Sequence, residues 1–190
     1  MNPPESERTF EKLNYSETPL LKGEYEGCRF VNCDFSDTDL SDCKFIDCEF
    51  IACNLSLVKL KNTAFQDISF RGCKMLGLHF EHCRKFGLSF TFENCMLNHS
   101  SFYQLAIKKT TFRNSQLQET DFTECDLSGS ILDNCNLLNA TFEKTILEKV
   151  DFRTAYNYFI DPEMNRIKKA KFSLPGVPGL LGKYDIDIEG

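Results

Sequence analysis

The sequence of 190 residues contains no tryptophan, three histidines and no Cys-x-x-Cys pair. The last absence removes the usual spacings of structural zinc sites and of thioredoxin-like redox centres. No G-x-S-x-G, phosphate-binding loop or H-E-x-x-H motif occurs, so the common hydrolase, nucleotide-binding and zinc-protease signatures are missing too. The expectation is a protein that is not an enzyme and uses no cofactor or metal. Runs of 18 apolar residues are also lacking, which removes a membrane-spanning helix from the expectations. Met1 is followed by Asn-Pro-Pro-Glu-Ser-Glu, without the basic start or apolar stretch of a secretory leader. A cytoplasmic protein with reduced thiols and no membrane contact is expected. One domain is expected as well, since this length is cramped for two.

What the chain has in excess is phenylalanine, at 18 residues, and cysteine, at ten. A skew of that kind points to one structural slot filled again and again. Every fifth residue from Leu20 to Phe80 is large and apolar, and the rhythm resumes in a shifted phase from Phe92 to Phe152. A period of five suits neither regular element. Five helical steps of about 100° leave the next residue about 140° away, and five strand steps reverse the face. The pattern works only if the chain turns once per unit, returning each large residue to a shared interior, as in solenoids built from short stacked repeats. Two residues before each large one, on the same side of an extended stretch, lies a second slot dominated by small residues. It holds Cys28, Cys33, Thr38, Cys43, Cys48 and Cys53 early in the chain, and Cys95, Ser100, Thr110, Ser115, Thr120 and Cys125 after the shift.

The stretches CDFSD, TDLSD, CDLSG and CNLLN resemble the units of the pentapeptide-repeat family. The resemblance covers about residues 20–156. It implies an all-β fold, a right-handed quadrilateral β-helix with four units per coil. Residues about 20 apart would then stack at the strand spacing of about 4.8 Å, giving nearly seven coils and a rod about 30 Å long. Residues 1–19 read as an N-terminal cap or irregular first coil, with Phe10 and Tyr15 in the same phase. Residues 157–190 read as a C-terminal capping or dimerisation segment.

Phe80 to Phe92 spans two units plus two residues, so a phase slip near 84–94 must be absorbed. Two placements are open. The first phase runs on through Leu88 and Phe90, or Gly87 takes a corner with Lys85 and Phe86 displaced. Beyond Ala155 the rhythm stops, Pro162, Pro175 and Pro178 punctuate the chain, and Tyr184-Asp185-Ile186-Asp187-Ile188 alternates like a strand. A solenoid's last coil needs covering. In the Qnr-type quinolone-resistance members of the family the C-terminal segment makes a homodimer, and the pattern here is similar. That resemblance implies Leu174, Leu180, Leu181, Tyr184, Ile186 and Ile188 as dimer contacts, with a monomeric cap as the alternative.

All ten cysteines occupy the small inward slot, which exchanges Cys with Thr, Ser, Ala and Val. A ligand or nucleophile would not tolerate that exchange, whereas a buried thiol packs as a small hydrophobe. Cys33, Cys53 and Cys73 are expected to stack as a ladder. In the stretch HFEHC, Phe80 and Cys83 fall on inward slots while His79, Glu81 and His82 point outward, which separates thiol from imidazoles. His99 has no partner that the sequence identifies. Charge is banded along the chain. Residues 24–49 and 119–151 each carry a local balance of −6, and residues 57–113 a balance of +6.

Three roles follow from these readings. The first is a general protein-interaction scaffold, with Lys85, Phe86 and Phe92 as candidate partner contacts, because loops carry binding more often than regular walls do. The second comes from resemblance: some family members imitate duplex DNA and occupy the DNA groove of a type II topoisomerase, which makes DNA gyrase a candidate partner. The basic waist opposes that role, since DNA is anionic along every turn. The third, direct nucleic-acid binding through Lys59, Lys61, Lys108 and Lys109, is the least favoured.

Overall fold

The computed structural model describes residues 5–189. Its strands are short and all parallel, and they form two sheets. One contains Glu5–Ser6, Glu24–Glu26, Lys44–Ile46 and Ala64–Gln66; the other runs from Thr9–Glu11 to Ile131–Asp133 through seven strands. Single-residue parallel bridges such as Asp34↔Asn54 and Asp121↔Thr141 continue the ladders along the remaining walls. The fold is a right-handed quadrilateral β-helix. Backbone amides donate along the rod axis to the next coil, as from Phe35 to Asn54 O at 2.7 Å and from Leu97 to Gln116 O at 2.8 Å. Each coil thereby satisfies its neighbour's backbone polar groups.

The corners are made two residues after each large apolar one. There the backbone enters the left-handed region, at Asn32, Asp37, Asp42, Asp47, Asn62 and Asp67 among others. Asn, Asp and Gly reach that region at least cost, which explains why the repeat carries them there. On many walls the residue before the large one closes the bend through its carboxylate. Asp34 Oδ1 accepts from the Ser36 amide at 2.9 Å and hydroxyl at 2.7 Å, an Asx turn.

The large residues form columns down the interior. Phe30 stacks between Phe10 and Phe50, with ring centroids 4.8 Å away on each side, and the column continues through Phe70, Phe92 and Phe112. A second column holds Phe80, Phe102, Phe122 and Phe142. Rings of adjacent walls meet edge to face, as Phe102 and Phe112 do at 84°, the arrangement favoured by ring quadrupoles.

The small slot does more than fill gaps. Cys48, Cys53 and Cys73 each direct Sγ at 3.3 Å toward the carbonyl of a large residue one coil back, namely Tyr25, Phe30 and Phe50. Thr63 Oγ1 does the same to Leu40 O at 2.8 Å and Thr145 Oγ1 to Phe122 O at 2.8 Å. Asn165 Nδ2 donates to Phe142 O at 2.8 Å. Where the slot holds Cys, Thr or Asn, the short side chain thus also donates to the backbone, a role that the reading as a small packing slot did not include. All ten cysteines are free thiols inside the wall. Burial pushes the Cys48 and Cys135 thiols up to about 12, and raises those of Cys83 and Cys125 further. Hydrogen bonding to the Cys53 and Cys95 thiols, together with burial, raises Cys73.

At the phase slip the register widens by two residues. Ile68 faces Phe90, Phe70 faces Phe92 and Lys74 faces Met96. The surplus is expelled as a bulge in which Lys85, Phe86 and Gly87 are exposed and Gly87 takes φ +76°.

The C-terminal part departs from the sequence reading in two ways. Ladder pairing runs past residue 156, through Asn136↔Tyr156, Ile146↔Arg166 and Asp151↔Lys171, and Phe172 stacks on Phe152 at 5.3 Å. Residues 184–188 are not a strand. Gly182–Tyr184 is a 3-10 turn and Asp185 has φ 50°, so the extended conformation is broken at its start. The preceding 3-10 segment, Leu174–Leu180, lies over the last coil, where the Ile160 amide donates to Gly179 O at 2.9 Å. Contact is close: a Cβ at Gly179 would lie 2.4 Å from the Tyr158 carbonyl oxygen. Lys183 clasps the segment with 2.7 Å contacts to Asp161 Oδ1 and Glu163 Oε2.

Candidate interaction surface

The bulge is anchored at both ends. The Arg84 amide donates to Thr63 O at 2.8 Å and its Nε to Asn62 Oδ1 at 3.0 Å. The Ser89 amide donates to Phe65 O at 3.3 Å. Beyond Ser89, Phe90 turns inward and lies 5.4 Å from Phe80 and 5.9 Å from Phe65. Between these anchors the Phe86 side chain projects from the wall and is 89% exposed. Lys85 Nζ reaches back to Gln104 O at 3.4 Å.

Of the three candidate contacts read from the sequence, the bulge presents two. Phe92 is corrected: it is 1% exposed, stacked between Phe70 and Phe112. The two-residue expulsion restores the core phase before Phe92, so its ring belongs to the interior. Among the C-terminal candidates Leu180 and Leu181 are partly buried, with Leu180 packed against the core. Leu174, Tyr184, Ile186 and Ile188 are exposed, although Tyr184 Oη also donates to Glu163 Oε1 at 3.0 Å.

Charged residues pair between successive coils, within one charge band or across its edge. Arg29 meets Glu49 at 3.1 Å, Lys44 meets Glu24 at 3.1 Å, and Arg113 meets Asp133 at 3.2 Å. Exposed pairs of this kind contribute about 0–1 kcal/mol each, but they flatten the local potential. His99, which the sequence leaves without a partner, lies 3.1 Å from Glu119 in the next coil; applying the coil register to surface positions would have found it. Lys59 and Lys61 lie on a different ladder from Lys108, which is itself 3.0 Å from Asp126.

In the HFEHC stretch, the rings of His79 and His82 stack at 5.4 Å and His79 Nδ1 contacts Glu81 Oε1 at 2.9 Å. Cys83 is buried on the inner side of the wall. Among the described residues no group of three His, Cys, Asp or Glu is placed to hold a metal ion, and no helix is long and apolar enough to cross a membrane.

Comparison with solved structures places the chain beside QnrB1, a plasmid-mediated fluoroquinolone resistance protein. A trypsin-treated variant of QnrB1 matches with TM-score 0.63 and 18% identity, over 98% of this chain and all of the other. Full-length QnrB1 matches with TM-score 0.55 and 18% identity, over 97% of this chain and 100% of that one. HetL, a pentapeptide repeat protein involved in heterocyst differentiation regulation in the cyanobacterium Nostoc, matches with TM-score 0.40 and 13% identity over 91% and 87% of the two chains. No curated protein sequence matches. The pentapeptide repeat region family matches residues 24–91 and 88–156, most of the solenoid described above, and the chain belongs to the pentapeptide-repeat family.

Proposed function

We propose that the protein is a non-enzymatic interaction scaffold that docks a protein partner through the bulge at residues 84–89. The observation that carries this reading is Phe86, a large aromatic ring almost wholly in solvent on a segment tied to the wall at both ends. Aromatic anchors of that kind dominate many interfaces, and a pre-positioned loop has little ordering entropy left to lose on binding. The ten free, buried thiols suit a reducing compartment such as the cytoplasm. Co-purification with Phe86→Ser tests the reading. A specific partner recovered with the native chain is expected to be lost with the variant at unchanged thermal stability, and equal recovery would overturn the proposal.

A second reading, modulation of a type II topoisomerase by imitation of DNA, draws on the net charge of −6 and the rod shape. The inter-coil ion pairs oppose it, because they interrupt the anionic surface that an imitation of DNA requires. Inhibition of purified gyrase supercoiling at micromolar protein would replace the scaffold reading with this one.

A further inference from the structure

One corner of the solenoid differs from the others in how its charges are sorted. Starting at the N-terminus, its left-handed positions are Glu7, Gly27, Asp47 and Asp67, then Gly87 in the bulge, then Lys109, Gly129, Lys149 and Lys169. The axial hydrogen bonds Glu7 to Glu26 O, Gly27 to Ile46 O, Lys109 to Ser128 O and Lys149 to Lys168 O confirm that these positions stack, and they bring Glu26 and Lys168 alongside. Acids occupy the side before the bulge and bases the side after it. Glu7, Glu26, Asp47, Asp67, Lys109, Lys149, Lys168 and Lys169 are all exposed, and none lies in an ion pair among the described residues. The other left-handed corners show no such sorting: one is largely neutral, with Asn32, Ala52, Gly72, Asn94, Asn114 and Asn134, and another mixes Asp42, Asn62, Gln104, Glu124 and Lys144.

A stripe whose charge changes sign about its midpoint is its own complement after a half-turn. We propose that this corner is a homotypic interface, in which a second copy of the chain packs antiparallel about a two-fold axis at the bulge. Asp67 of one copy then faces Lys109 of the other, Glu26 faces Lys149, and Glu7 faces Lys169, because each pair lies the same number of coils from Gly87. The two Phe86 rings meet at the axis and supply the apolar centre. An isologous contact of this form closes on itself and stops at a dimer.

The stripe is roughly 40 Å long at about 4.8 Å per coil. With a contact width of about 15–20 Å it buries roughly 700 Å² per copy, close to the 800 Å² or so of a standard stable interface. The resulting association is expected to be of micromolar strength and sensitive to salt, because exposed charges are screened beyond about 8 Å at physiological ionic strength.

This inference rests on the scaffold reading and names its partner. The test is sedimentation equilibrium of the full chain with two charge-reversed variants. One carries Glu26→Lys and Asp67→Lys, the other Lys109→Glu and Lys149→Glu. Left-handed corners already hold Lys at Lys109, Lys144 and Lys149 and Glu at Glu119 and Glu124, and the strand-end position of Glu26 is basic at Arg71 and Arg113 in the other sheet, so both variants should fold. The native chain should dimerise, with at least a tenfold weaker Kd at 0.5 M than at 0.05 M salt. Each variant alone should be monomeric, their mixture should form a heterodimer, and a chain carrying all four reversals should dimerise like the native one.

A native chain that stays monomeric at 100 µM in low salt overturns the inference. So does a dimer that persists in both variants, which would place the contact elsewhere, at the C-terminal segment for instance. If the native chain is monomeric yet loses a different protein partner on Phe86→Ser, the scaffold reading stands and this inference falls. If it dimerises as described and Phe86→Ser weakens that dimer at least tenfold, both stand with the second copy as the partner; a dimer that Phe86→Ser leaves unchanged overturns both.

Discussion

Replacing Phe50 by alanine measures directly what holds this rod together. The ring is fully buried, stacked on Phe30 at 4.8 Å and Phe70 at 5.2 Å, and met edge-on by Phe45 and Phe35 at 5.5 and 5.8 Å. Truncating a sealed Phe costs about 3–5 kcal/mol through lost transfer energy and the remaining cavity. Its aromatic neighbours place this site in the upper part of that range. The coils on either side cannot collapse into the gap, because their spacing is fixed by the backbone ladder between Glu49–Ile51 and its two neighbours. We expect about 4 kcal/mol, close to a thousandfold in the folding equilibrium, read by urea titration of the far-ultraviolet circular dichroism. Phe50→Leu should cost about 1 kcal/mol, because the same column already accepts Leu132 opposite Phe112. An alanine variant within 1 kcal/mol of the native chain, or a leucine variant as damaged as the alanine one, would refute the column as the source of stability.

Three further outcomes are expected. Thr145→Val keeps the shape of the small slot but leaves the Phe122 carbonyl without its side-chain donor; it should lower unfolding free energy by about 1–2 kcal/mol, whereas Thr145→Ser, which keeps the donor and gives up one buried methyl, should cost about 0.8 kcal/mol. Gly179→Ala drives a Cβ onto the Tyr158 carbonyl, a clash worth about 1–3 kcal/mol, so limited proteolysis should cut the C-terminal segment faster while the solenoid remains intact. Acid should loosen the same segment. Hydrogen bonding to Lys183 holds Asp161 and Glu163 below the usual carboxylate range, so the clasp is complete at neutral pH and is lost as pH falls through those depressed values; hydrogen exchange of residues 174–184 that is unchanged between pH 6 and pH 2, after correction for intrinsic rates, would disprove it.

The interior of this protein is legible in its sequence because one rule, a large residue every fifth position, is repeated without interruption between Leu20 and Phe80. The last coil was hidden because Asn157 and Pro162 occupy positions where the rhythm calls for bulk, while Tyr158 and Ile160 are buried from neighbouring positions. Ile167 and Phe172 nevertheless keep the phase and pack against the core. The donor role of the small slot was present in the exchange of Cys with Thr and Ser, which share a hydrogen that Ala and Val lack. Phe92 was ambiguous in the sequence because a ring next to an irregular segment satisfies both a core rhythm and a surface anchor; only the side on which the surplus residues leave the wall decides. The alternating tail at residues 184–188 has the composition of a strand, but Asp185 turns it away from the extended conformation.

The corners of the rod act as an index wheel. Two surplus residues at the bulge were expelled, so Phe92 still sits over Phe70 and every wall beyond keeps its heading. Deleting one whole five-residue unit would behave differently. It would shorten the rod only slightly, yet everything downstream would advance by about a quarter turn, carrying Lys109, Lys149 and Lys169 round to a wall where Asp47 and Asp67 are no longer in line. Insertions that respect the wheel come as full coils or as bulges, and lineages that lengthen such a chain should do so in those two denominations.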